Sequence, residues 1–286
     1  MREEIGYIPI GDVELYLEDV GPGEAPVMAF LHGGPGGSSY AFREGVGDDL
    51  EDYRVLYFDQ RGSGRSPELP QDPRLFTVDA LVEDLEALRR ELGIAEWTLL
   101  SHGFGAVVAL EYTRKNPQHV DGLILVAPWI SYPQLARRLF RAALALRGVP
   151  DAEAPEDPRL ALAEAFRETE PKAVFDALMF PSQHSRLEYE WLAEGSSILG
   201  NQGPGRMFAY NGLWNLDYTP YLFDLAKAPA VIVGAQDGTS YPEQAEWVAD
   251  LTGGSLEVLE GAGHYPWIDQ PEAFREALYR ALDSLA

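Results

Sequence analysis

Two residues late in the chain have the types and spacing of an acid–base pair. Asp237 follows the apolar run 230–233 and His264 follows the run 256–259, 27 positions after the acid. Runs of that length read as buried strands, so both side chains sit just past strand ends, at the carboxyl edge where open α/β sheets bind ligands. A carboxylate on one imidazole nitrogen fixes the tautomer and stabilises the imidazolium, leaving the other nitrogen to act as a base. A lone histidine would be read as a core residue; with an acid ahead of it at this distance, the pattern points to catalysis. Two further polar segments follow apolar runs. His32-Gly33-Gly34-Pro35-Gly36-Gly37 comes after 27–31, and glycine at that density lets backbone N–H groups approach an anion or oxyanion. Asp59-Gln60-Arg61-Gly62-Ser63-Gly64-Arg65-Ser66 comes after 54–58 and reads as a supporting turn in which Asp59 and Arg61 pair internally.

Such segments need a framework of aligned strands. The runs 27–31, 54–58, 97–100, 123–126, 230–233 and 256–259 are short and apolar, as strands buried in a parallel sheet are. Between several of them the period lengthens to that of a helix. Apolar residues at 78, 81, 82, 85, 88 and 92 precede a Gly93 stop, and 106–116 ends before Pro117. Residues 4–19 alternate around Gly11-Asp12 as a β-hairpin does. The expected class is α/β, a mostly parallel sheet flanked by helices with right-handed crossovers. About 100 residues of mainly helical pattern separate the strands ending at Val126 and starting at Ala230, where a crossover needs roughly a dozen. The reading is a core of 1–128 and 219–286 with a helical cap over 129–218.

Composition narrows the function classes. Among 286 residues, 46 Asp and Glu against 22 Lys and Arg leave a charge of −24, which repels phosphate backbones and argues against nucleic acid as partner. With no cysteine there is no disulfide, thiol nucleophile or Cys-ligated metal. No nucleotide, flavin or metal signature appears, since 33–37 is neither a G-x-G-x-x-G turn nor a lysine-bearing P-loop; no cofactor and no metal are expected. No apolar run approaches the ~18 residues that span a bilayer, and the N-terminus lacks a signal pattern. A soluble, cytoplasmic protein acting on a small molecule or short peptide, away from membranes, is the expectation.

The His-Gly-Gly-Pro-Gly loop and the Asp-Gln-Arg-Gly-Ser-Gly-Arg-Ser loop resemble, nearly letter for letter, those of the proline iminopeptidase group within the α/β-hydrolase fold. The resemblance covers 1–128 and 219–286. It implies release of N-terminal residues, proline favoured, from small peptides. It also implies a triad completed by Asp237 and His264, with an oxyanion hole from the N–H of Gly34 and of the residue after the nucleophile.

At the nucleophile the pattern departs. The fold needs G-x-S-x-G on a strand-to-helix turn, and this chain reads Leu99-Leu100-Ser101-His102-Gly103-Phe104-Gly105-Ala106. Serine and glycine have changed places. Aligned without a gap, Gly103 takes the nucleophile position and Phe104 supplies the second oxyanion N–H. Three arrangements stay open. Gly103 sits at the elbow with Ser101 displaced about 6–7 Å back along the strand; or the strand ends two residues early and Ser101 takes the elbow; or His264 and Asp237 activate a water in place of the missing hydroxyl. The elbow's left-handed backbone costs a non-glycine residue on the order of 1–3 kcal/mol, which favours glycine there. The function read from this is an iminopeptidase-like hydrolase of weak or absent activity. The alternatives are a non-catalytic protein binding a small ligand or protein partner through the same pocket, and an esterase-like or lyase activity with His264 as general base.

Members of the group hold the substrate's free amine with carboxylates of the cap, for which Glu188, Glu190 and Glu194 are the candidates. The stretch 207–214 carries no carboxylate. Trp191, Tyr210 and Trp214, with Phe208, are candidates to line a flat apolar pocket, or else to form the core of the cap.

Overall fold

The structure is a computed structural model that describes residues 2–149, 152–195 and 201–285, without the side chains of 194 and 195. Its eight strands form one sheet in the order β1-β2-β4-β3-β5-β6-β7-β8. β1 (Arg2–Ile10) and β2 (Val13–Gly21) make the antiparallel hairpin, turning at Gly11 with φ +58°. β2 pairs antiparallel with β4 (Arg54–Phe58), and every later pairing is parallel. These parallel strands are β3 (Val27–Leu31), β4, β5 (Trp97–His102), β6 (Val120–Val126), β7 (Ala230–Gly234) and β8 (Ser255–Leu259). Fully buried runs such as Leu99 and Leu100 follow from helices on both faces. Leu99 packs with Leu85, Val107 and Leu123 on one side, while Leu100 packs with Phe30, Ile124 and Leu278 on the other.

Three helices lie between the first strands: α1 (Tyr40–Val46), α2 (Val78–Glu91) and α3 (Gly105–Lys115). α2 starts where the Thr77 hydroxyl accepts the Ala80 N–H at 3.1 Å, a side-chain cap for its first turn. Among the described residues five more stand between β6 and β7: α4 (Tyr132–Leu146), α5 (Pro158–Ala165), α6 (Pro171–Met179), α7 (Gln183–Gly195) and α8 (Gln202–Tyr210). Chain entry and exit of this stretch run side by side. Ser131 bridges Asp217, and Tyr218 N–H donates to the Ile130 carbonyl at 2.8 Å. α9 (Pro242–Thr252), α10 (Pro266–Asp269) and α11 (Pro271–Leu285) complete the chain. Among the described residues no helix is long and apolar enough to cross a membrane.

Beneath the site edge, buried ion pairs fix the loop after β4. Asp59 accepts from the Ser39 N–H at 2.7 Å and hydroxyl at 2.8 Å, and from Arg65 Nε at 2.8 Å. Burial by itself would raise this carboxyl; the Arg65 hydrogen bond, neighbouring positive charge and the Ser39 N–H together hold it below its ordinary range. Arg61 does not pair with Asp59, contrary to the expectation from sequence. It forks onto Asp84 of α2 with two bonds of 2.6 Å, because the turn after β4 points Arg61 toward α2 and leaves Asp59 to Arg65.

Candidate active site

β5 stays in its ladder through His102, paired with β3 up to Leu31↔Ser101 and with β6 up to His102↔Val126. The chain then turns at Gly103 with φ +53°, in the left-handed region that costs other residues energy, and enters α3. Gly105 is required as well, since a Cβ there would overlap the Leu31 carbonyl. A Cβ on Gly103 would stand 3.3 Å from His264 Nε2 and 3.7 Å from Gly33 Cα. Gly103 therefore occupies the strand-to-helix elbow, and the arrangement with Ser101 there is overturned. Ser101 is fully buried inside β5, and its hydroxyl faces the Ile124 carbonyl at 3.4 Å. Two flanking strands keep it in the sheet, which prevents the early strand end that arrangement requires.

Asp237 and His264 meet at the ends of β7 and β8. His264 Nδ1–H donates to Asp237 Oδ2 at 2.8 Å, and both residues are 2% exposed. The other carboxylate oxygen accepts the Thr239 N–H at 2.7 Å, the Thr239 hydroxyl at 2.6 Å and the Ser240 N–H at 3.0 Å, so the acid cannot rotate away. Trp129 stacks on the His264 ring at 5.2 Å and 22°. From α6, the Leu178 and Met179 carbonyls accept the N–H groups of Gly238 and His264 at 2.7 and 2.8 Å, tying the helices between β6 and β7 to both loops. With Nδ1 committed, Nε2 has no protein partner among the described residues and faces the elbow. An imidazole so held can take a proton from a group placed over Gly103.

Two more histidines brace the site. His102 Nε2–H donates to the His264 carbonyl at 2.9 Å, with the rings 4.5 Å apart. Burial, and next the adjacent His264, push the His102 imidazole well below the usual histidine range, so it stays neutral. His32 Nδ1–H donates to the Gly33 carbonyl at 2.7 Å while its Nε2 accepts the Gln60 N–H at 2.9 Å. Burial lowers its pKa too. These bonds shape the glycine loop, where the Gly34–Pro35 peptide is cis and Gly34 has φ +132°. Neither the Gly34 nor the Phe104 N–H donates to a protein acceptor among the described residues. Phe104 follows the elbow residue directly, and Gly34 follows Gly33, whose Cα is 3.7 Å from the place of a Cβ on Gly103.

Beside the elbow, with Gly33, Gly34 and His264 in its wall, lies a cavity of about 220 Å³, walled otherwise chiefly by Tyr40, His102, Trp129, Met179, Tyr189 and Tyr265. Tyr189 and Tyr265 stack at 4.1 Å. None of the described lining residues carries a carboxylate. α7 presents Tyr189 and Ala193, one turn apart, to the cavity, so residues between them turn elsewhere. Glu188 is half exposed beside His184, and Glu190 pairs with Lys172 at 2.8 Å and Arg186 at 2.7 Å. Trp191 and Tyr210 are 73% and 74% exposed. Trp214 packs edge-on against Tyr132, and Phe208 is buried against Phe104 and Phe76. The structure thus does not bring Glu188, Glu190, Trp191, Tyr210 or Trp214 to the cavity, and the Glu194 side chain lies outside the described residues. Sequence reasoning missed Thr239, Trp129, Tyr189 and Tyr265. A threonine two places after the acid was the one local signal, because such a hydroxyl turns back onto a carboxylate. Among the described residues no group of three or more His, Asp or Glu is arranged to hold a metal ion.

Comparison with known proteins agrees with this architecture. A family model described as alpha/beta hydrolase fold matches residues 26–271. The crystal structure of a proline iminopeptidase-related protein from Thermus thermophilus superposes with a TM-score of 0.93 at 58% identity, covering 100% of this chain and 99% of that one. The proline iminopeptidase of Heyndrickxia coagulans is 28% identical, over 98% of this chain and 99% of its own. The proline iminopeptidase structure from Mycobacterium smegmatis shares the fold, with a TM-score of 0.73 at 18% identity over 99% and 98% of the two chains.

Proposed function

We propose that this chain, which belongs to the α/β-hydrolase fold family and resembles the proline iminopeptidases within it, hydrolyses small acyl substrates without forming an acyl-enzyme. The observation that carries the reading is the 3.3 Å between His264 Nε2 and the place of a Cβ on Gly103: the base is aimed at a nucleophile position that bears no side chain. A water over Gly103 is then the nucleophile. Its oxygen attacks the acyl carbonyl while its proton passes to Nε2, and the Asp237 carboxylate stabilises the imidazolium. The carbonyl oxygen, now negative, is received by the Gly34 and Phe104 N–H groups. On collapse the carbon–leaving-group bond breaks and the imidazolium proton goes to the leaving group, which regenerates the dyad. The helices between β6 and β7 serve as a cap whose α6 and α7 close the cavity. Its aromatic walls suit an apolar acyl group, and the charge of −24 suits small substrates rather than nucleic acid. Loss of one triad member leaves roughly 10³–10⁴-fold catalysis over water, which sets the scale expected here.

The test combines p-nitrophenyl ester turnover with fluorophosphonate labelling. Slow turnover without a burst, abolished in His264→Ala and unaccompanied by labelling, supports the reading; stoichiometric labelling of the natural protein overturns it. A second reading, ligand binding with no chemistry, is favoured by the relaxed left-handed glycine, which gives up the nucleophile and its strain together. Turnover equal in the natural protein and His264→Ala selects that reading.

A further inference from the structure

We propose that the cavity binds a monocarboxylic acid with an apolar, aromatic-sized body, its carboxylate bridging the Gly34 and Phe104 N–H groups and His264 Nε2. This rests on the reading of the site given above and names the ligand class. Three groups stand next to the elbow without protein partners among the described residues: the Phe104 N–H, which follows Gly103 in the chain, the Gly34 N–H, which follows Gly33 with its Cα 3.7 Å from the Gly103 Cβ place, and the Nε2 of a histidine that is only 2% exposed. One oxygen of a carboxylate satisfies the two N–H groups. The second needs a place within hydrogen-bond range of Nε2, and that is the space a nucleophile side chain would fill, 3.3 Å from Nε2 at the Cβ position. Glycine at 103 leaves it open.

Proton accounting is closed. The free acid passes its proton to Nε2, giving a carboxylate beside an imidazolium whose Nδ1–H remains on Asp237, and no other reactant is needed. A charge-assisted bond of this kind is about twice as strong as a neutral one. An amide of the same shape can place its carbonyl oxygen on the two N–H groups, yet it has no second negative oxygen and no acidic proton to give. Trp129, Tyr189 and Tyr265 give the cavity an aromatic wall for the rest of the ligand.

Calorimetric titration of the full chain with phenylacetate and with phenylacetamide tests this without any turnover. Phenylacetate should bind at least about 10-fold more tightly, and Gly103→Ala, whose methyl enters the place of the second oxygen, should reduce the phenylacetate affinity by a similar factor. Equal affinities for acid and amide on the natural protein overturn the proposal, whether or not the alanine variant folds. So does unaltered phenylacetate binding by a folded Gly103→Ala. Ester turnover is measured alongside: acid preference with no turnover removes the hydrolytic reading and keeps this one, and turnover with no acid preference does the reverse.

Discussion

Replacing Gly103 by serine should create a covalent nucleophile in one step. The Cβ would stand 3.3 Å from His264 Nε2, and the nearest backbone atom, Gly33 Cα, is at 3.7 Å, so the side chain enters without moving the main chain. Its hydroxyl then lies within hydrogen-bond range of a base already oriented by Asp237 at 2.8 Å. Ser101 need not be exchanged, since it is held inside β5. The cost is backbone strain: a serine at φ +53° loses about 1–2 kcal/mol relative to glycine, a fall in Tm of roughly 2–6 °C for a domain of this size. The gain is the catalytic contribution of the missing triad member, on the order of 10³-fold or more in kcat. Active-site titration with a fluorophosphonate, p-nitrophenyl ester kinetics and a melting curve are the assays. Labelling near one equivalent, a burst and a slightly lowered Tm are expected. A variant that folds, melts within that window and still shows no labelling would refute the reasoning, because the base and oxyanion groups would then not be placed as described.

Other perturbations probe the surroundings. Thr239→Val, which removes the 2.6 Å bond to Asp237, should lower any His264-dependent turnover about 10-fold with little change in KM, as seen in ester kinetics. Ser101→Ala should leave turnover and labelling unchanged and shift stability by less than about 1 kcal/mol in urea unfolding, since its one weak bond is within the sheet. Asp59→Ala leaves buried Arg65 short of its main partner and should cost about 3–5 kcal/mol in the same assay. His32 and His102 are neutral in the fold with lowered pKa values, so their contribution to stability is full above the unfolded histidine pKa of about 6.5 and declines as pH falls below it. A histidine that stays neutral in the fold adds a slope of at most about 1.4 kcal/mol per pH unit well below ~6.5; urea midpoints at pH 7, 6 and 5.5 read the fall in stability, and His102→Gln should make it less steep.

Strands were legible wherever apolar runs are continuous, because burial on both faces leaves no other reading for 123–126 or 230–233. Asp237 and His264 could be paired from sequence since each follows such a run directly, and sheet topology sets neighbouring strand ends side by side. The elbow remained ambiguous because a local motif with serine and glycine exchanged does not say where β5 ends; the pairing of Ser101 with both Leu31 and Leu125 decides that, and it is a long-range property. Cavity residues from the helices between β6 and β7 were illegible for a different reason. Glu188, Tyr189, Glu190 and Trp191 are adjacent in sequence, and which one faces the cavity depends on the rotation of α7 about its axis, which only its packing fixes.

β6 and β7 are hydrogen-bonded neighbours, yet residues 127–229 separate them in the chain. During synthesis the edge of β6, apolar from Leu123 to Val126, must wait for some 100 residues before its partner emerges, roughly 5–20 s at 5–20 residues per second. For that interval a ready-made template for strand addition is open to other chains. The helices made meanwhile, beginning with α4 and its buried Leu135, Leu139 and Phe140, would be the first cover available to it. A nascent chain stalled in this window should therefore be the form most dependent on chaperones, and also the form in which the pair at Asp237 and His264 does not yet exist.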